Sequence, residues 1–215
     1  MSDENQQQDI SGKRNIGAHD VTNSQIISGD GNTVIFHSPS SIPPSPLHQL
    51  RAPVQDFVGR GDEITQLVQA LTHGTAAAAI SGIRGMGGIG KTELAYVVAA
   101  RVCETFPDAQ IVVSLQGVSA APLSPERALQ NVIQAFEPEA KLPDDLPSLQ
   151  GLYVSCLHGK RVLVLADDAR DDAQVQPLLP PAGCALLVTS RPHIELPRMH
   201  TLNLGTLPDA DAIAL

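Results

Sequence analysis

Between Gly85 and Thr92 the chain reads Gly-Met-Gly-Gly-Ile-Gly-Lys-Thr, which fits the spacing G-x-x-x-x-G-K-[ST]. Ordered glycine costs about 0.5–1 kcal/mol relative to alanine, so a cluster of four calls for a ligand. A backbone without side chains can wrap a phosphate and aim consecutive N–H groups at it. At a helix N-terminus the partial positive charge adds to that field. Lys91 supplies a mobile cation for β- and γ-phosphates, and Thr92 a hydroxyl for Mg²⁺. The chemistry this spacing points to is the binding of a nucleoside polyphosphate.

Binding is not hydrolysis, which needs an acid at the end of a neighbouring apolar strand. The stretch RVLVLADDA provides one, with Val162–Leu165 running into Asp167 and Asp168. Asp167 is assigned to Mg²⁺ through water, and Asp168 to orienting or deprotonating the attacking water. Ala166 lengthens the strand slightly and leaves the order of the two roles open by one residue. Further on, ALLVTSRP ends a strand in Thr189-Ser190-Arg191, at the sheet edge where open α/β folds bind ligands. Arg191 is the candidate reader of a γ-phosphate. Upstream, FVGRGDEI carries Val58 and Arg60, a pattern that by itself is a weak signal, no better than even against an ordinary turn.

These residues need elements to hold them. DEITQLVQALTH sets Ile64, Leu67, Val68 and Leu71 on one helical stripe, with Asp62 and Glu63 where the helix dipole favours acids. KTELAYVVAARVCETF, SPERALQNVIQAFEP and LPSLQGLYVSCLHG read as further helices; the second is capped by Ser124 with Pro125 at its first position. TAAAAISGI, AQIVVSLQG, KRVLVLADDA, CALLVTSRP and HTLNLGTL read as five strands. Strands that are near-continuous apolar runs, alternating with helices, predict an α/β three-layer fold with a mainly parallel sheet. Ahead of it lies a short, β-prone and partly disordered N-terminal segment. There, Gln25–Ser28 and Thr33–Phe36 flank GDGN as a hairpin would. Five prolines between Ser38 and Pro53 then suggest an extended linker with few apolar anchors to the core.

Composition narrows the function classes. A formal charge of −9 opposes broad contact with a phosphate backbone, so no direct nucleic-acid binding is expected. No stretch is apolar for the roughly 18 residues a membrane span needs, and the polar start MSDENQQQDI is no signal peptide. The default location is the cytoplasm. Cys103, Cys156 and Cys184 lack zinc-site spacing and read as small hydrophobes in a reducing compartment.

In this order, FVGR, GMGGIGKTELA, FPDAQIVVSLQG, RVLVLADDA and LLVTSRP resemble an NB-ARC nucleotide-binding domain. That domain belongs to the STAND class of P-loop signalling ATPases, and the likeness is greatest to its bacterial regulators. The resemblance runs from Phe57 to about Leu215. It implies ATP and ADP as ligands with Mg²⁺, and Val58 and Arg60 at the adenine end. It also implies Gly85, Gly87, Gly88, Ile89, Gly90, Lys91, Thr92 and Glu93 as the nucleotide-binding loop and helix start. Asp167 becomes the Walker B acid that shares Mg²⁺ with Thr92. Arg191 becomes the first sensor, beside Asp168 in the catalytic set. In the family, ADP locks a closed monomer and exchange for ATP opens it into an oligomer, which implies self-association or a protein partner.

The domains expected are a polar tail over 1–37, a proline-rich linker over 38–56 and an NB-ARC domain over 57–206. Residues 207–215, LPDADAIAL, resemble only the first helix of the family's helical extension. The winged-helix histidine has no counterpart, so a fragment or a truncated gene product is expected. The function expected is an ATP/ADP-binding signalling switch with slow Mg²⁺-dependent hydrolysis. The alternative is a nucleotide-binding interaction module without significant turnover, acting as a scaffold or regulatory fragment.

Overall fold

The computed structural model describes residues 47–72 and 78–206. The expected hairpin, the polar tail and residues 207–215 lie outside the described residues.

Near-continuous apolar runs build the sheet, and the two-residue period of a strand divides each run between two faces. In β4 (Val162–Ala169), Val162, Val164 and Ala166 join one apolar cluster, while Leu163 and Leu165 join the other. In β5 (Ala185–Ser190), Leu186 and Val188 face the first cluster, and Ala185 and Leu187 the second. A strand buried on both faces needs helices on both. On one side, α1 (Gly61–Thr72) and α2 (Lys91–Val102) cover the sheet through Ile64, Leu67, Leu71, Leu94 and Val98. On the other, α3 (Pro125–Phe136) and α4 (Leu146–Leu157) do so through Leu129, Ile133 and the fully buried Tyr153. The Tyr153 hydroxyl donates to the Leu178 carbonyl, which satisfies its one polar atom inside the core. A short α5 (Asp172–Val175) follows β4. The expected three-layer α/β fold with a parallel sheet is present. No helix among the described residues is long and apolar enough to cross a membrane.

The remaining strands are β1 (Leu47–His48), β2 (Ala79–Arg84), β3 (Ala109–Ser114) and β6 (His200–Asn203). The sheet order is β1-β3-β4-β5-β2-β6, and every pairing is parallel. One consequence matters for the site: β5 lies between β2, which leads into the glycine-rich loop, and β4, which carries the two aspartates. The C-terminal ends of these three strands therefore meet at one edge.

The structure departs from the sequence reading at β1. Residues 47–51 belong to the segment read as a linker over 38–56, yet they dock on the sheet. Leu47 and His48 pair with Ala109 and Gln110 of β3. The Gln49 amide donates to the Gln110 carbonyl, and its side-chain oxygen accepts the Val112 amide. Leu50 packs against the cluster on the α1–α2 face. A two-residue strand among prolines is too short to register as periodicity.

Candidate functional site

The glycine-rich loop joins β2 to α2, and its glycines answer to geometry. Gly88 and Gly90 hold φ of 78° and 92°, a left-handed region costly for residues with a side chain. A Cβ on Gly87 would lie 3.0 Å from the guanidinium carbon of Arg191, so the absent side chain leaves that arginine its place. Ser124 caps α3 by accepting the Arg127 amide, and Asp145 caps α4 by accepting the Ser148 amide. Helix α2 begins at Gly90 with no side-chain cap. Its first-turn amides are thus left for an anion to accept from, where the helix dipole is most positive.

Lys91 opens α2 and folds back into the loop, its Nζ donating to the Gly85 carbonyl at 2.9 Å and the Met86 carbonyl at 2.7 Å. Only 8% of the residue is exposed. Burial, and next the charge of Arg191, hold its pKa below the ordinary lysine value, with Asp168 and Asp167 opposing. A phosphate arriving at this ammonium would replace two neutral carbonyls with a charged acceptor, a stronger partner.

The acidic strand reaches the loop through one carboxylate oxygen. Asp167 Oδ1 accepts the Thr92 hydroxyl at 2.9 Å and the Thr189 hydroxyl at 2.6 Å. The pairing of β4 with β5 is irregular between Ala166 and Ala169, and within that irregularity Asp168 adopts φ 57°. The Asp168 amide donates to Thr189 Oγ1 at 2.9 Å, while its carboxylate accepts the Val118 amide at 3.3 Å. The two neighbouring acids therefore have different surroundings. Asp167 stands against the Thr92 hydroxyl at the start of α2, and Asp168 is turned toward the loop after β3. A carboxylate beside a hydroxyl is an oxygen donor set that suits Mg²⁺, which takes one or two protein ligands and completes its shell with phosphate and water.

The loop, Lys91, both aspartates and Arg191 line one cavity of about 470 Å³, along with Glu93, Ser114 and Thr189. The structure thus brings Gly87, Gly88, Gly90, Lys91, Thr92, Glu93, Asp167, Asp168 and Arg191 together. The side chain of Ile89 instead packs on the α1–α2 core. Val58 is 36% exposed, whereas Arg60 is 7% exposed and has φ 60°. Arg60 donates to the carbonyls of Ile89 and Gly205 at 3.3 and 2.9 Å, tying the glycine-rich loop to the chain leaving β6. Glu63 lies 3.5 Å from the same guanidinium. Sequence reasoning gave no role to Ser114 or Thr189. Ser114 ends β3 directly opposite Asp167, and Thr189, one residue before the end of β5, bonds Asp167 and the Asp168 amide; these contacts between neighbouring strand ends are the signal that finds them.

Comparison with known proteins bears on the family and the fold. The model of the NB-ARC domain family matches residues 60–196. Regulatory protein AfsR of Streptomyces coelicolor is 42% identical over 176 residues, covering 78% of this chain and 18% of the relative. Regulatory protein AfsR of Streptomyces griseus is 41% identical over 171 residues, with the same coverage. The chain spans about 18% of the length of these curated relatives. Among solved structures, the ORC2 protein of Aeropyrum pernix, in ADPNP–ADP complexes, has a TM-score of 0.50 at 15% identity. That likeness covers 72% of this chain and 50% of the other, and concerns the fold alone. The match begins at Arg60 and takes in the glycine-rich loop, both aspartates and Arg191, so the chain belongs to the NB-ARC domain family.

Proposed function

We propose that this chain is an ATP/ADP-binding switch module that hydrolyses ATP slowly. The observation that carries the reading is the junction of Thr92, Asp167 and Thr189 beside Lys91 and an uncapped α2. A loop that only bound phosphate would not need its helix tied to a carboxylate on a strand two positions away. The first-turn amides and Lys91 hold the phosphates, and Thr92 with Asp167 would hold Mg²⁺. When bound, that ion neutralises phosphate charge and polarises the terminal phosphoryl group. Asp168 orients or deprotonates the attacking water, and Arg191, facing Gly87, reads the γ-phosphate. Val58 and Arg60 serve the adenine end. The name of the AfsR relatives supports a regulatory setting; the reading adds the cytoplasm as the location and self-association or a protein partner as the output.

The alternative is a binding module without turnover. It is favoured by one contact, the Val118 amide already donated to the Asp168 carboxylate. Two variants decide the matter. Lys91→Ala removes a charge-assisted contact worth about 1.5–3 kcal/mol, so ADP affinity by calorimetry falls at least about tenfold. Unchanged affinity in a folded variant overturns the phosphate-loop reading. Asp168→Asn retains Mg·ATP binding and loses phosphate release; equal turnover in both proteins removes Asp168 from the chemistry.

A further inference from the structure

Arg51 precedes the segment matched by the family model, yet its side chain ends on Glu93, a residue that lines the phosphate cavity. The strap over residues 47–51 runs along β3 and delivers Arg51 to the first turn of α2. There its guanidinium forms a two-pronged ion pair with Glu93, Nη1 to Oε2 at 3.1 Å and Nη2 to Oε1. The same guanidinium stacks 4.0 Å over the Tyr96 ring, one turn further along α2. Two contacts fix its plane, which a flexible surface arginine lacks.

Glu93 is the residue after Thr92 and lines the cavity. Its carboxylate is a negative charge at the end of α2 where phosphates bind, and unpaired it would repel them. We infer that Arg51 is a positioning residue of the nucleotide site, acting through Glu93. It neutralises that carboxylate and holds it in place, so that phosphates meet the loop amides and Lys91 without an uncompensated like charge beside them. The inference rests on the nucleotide-binding reading above. It gives the chain ahead of the family domain a direct effect on nucleotide affinity.

A double-mutant cycle on the full chain tests it, with ADP as the probe and calorimetry as the readout. Arg51→Ala weakens ADP binding about three- to tenfold at low salt, and the loss shrinks in about 0.5 M salt as screening removes the Glu93 field. Glu93→Gln removes the carboxylate through which Arg51 acts and sets its own reference affinity for the second arm of the cycle. In the Glu93→Gln background, Arg51→Ala costs nothing further. If the loss persists in that background, or does not respond to salt, Arg51 merely holds the strap and the inference is overturned. Wild-type affinity in folded Arg51→Ala also overturns it. Should Arg51→Ala not fold, Arg51→Gln keeps the side-chain length and is read in the same way. A wild-type chain that fails to bind ADP overturns the nucleotide reading instead.

Discussion

At the scale of single residues, Thr189 joins the two acids. It donates to Asp167, accepts from the Asp168 amide, and is 1% exposed. Thr189→Val keeps the shape but leaves the Asp168 amide without its acceptor and takes one donor from a carboxylate. Leaving buried polar groups unpaired costs about 1–3 kcal/mol, so the urea midpoint falls by that equivalent. The gain in ADP affinity on adding Mg²⁺ shrinks too, because Asp167 loses the contact that aims it. Thr189→Ser restores both. A Val variant with wild-type stability and Mg²⁺ response shows that the network is incidental. Asp167 and Asp168 were both legible as candidates, since an apolar run ending in acids is visible in any strand-like stretch. Their different surroundings were not, because these depend on the irregular β4–β5 pairing and on φ 57° at Asp168.

At the scale of elements, the helices and strands that read most clearly are those where one pattern decides everything. Ser124-Pro125 announces α3 because cap and first-turn proline act locally, and both are in place. The strap is the opposite case. Its parts are held by β3, by the α1–α2 core and by α2, none of which is near in sequence. A chain beginning at residue 53 should therefore unfold more easily than one beginning at residue 47. Partial burial of Leu50 and the Gln49 hydrogen bonds together make about 1–3 kcal/mol a reasonable difference. Urea denaturation of the two truncations measures it directly. Equal midpoints would return residues 47–52 to the status of a linker.

For the whole molecule, the site exists only when the sheet has assembled. Its residues come from the ends of β2, β3, β4 and β5, four neighbours in an all-parallel sheet, and from the start of α2. Isolated segments of the unfolded chain offer no comparable cradle, so nucleotide binds the native state alone. At about 100 times its Kd, ADP with Mg²⁺ should then add about 2.7 kcal/mol to the unfolding free energy, seen as a raised Tm. The shift should follow ligand concentration logarithmically and be much reduced in Lys91→Ala. A Tm indifferent to ADP at concentrations where calorimetry shows binding would mean that the unfolded chain binds equally well.

The sequence by itself determined the layers, the parallel strands and the phosphate loop. Each of these is written in contiguous residues whose period or composition has one physical reading, such as the apolar run Val162–Ala166 or the glycines before Lys91. The tertiary structure alone decided which groups meet across the chain. Thr189 lies against Asp167, Arg60 bridges Ile89 and Gly205, and Arg51 reaches Glu93 from 42 residues away. Those contacts depend on the strand order β3-β4-β5-β2 and on an irregularity in the pairing of two strands. Strand order is set by the packing of whole elements, and no local pattern of residue types encodes it.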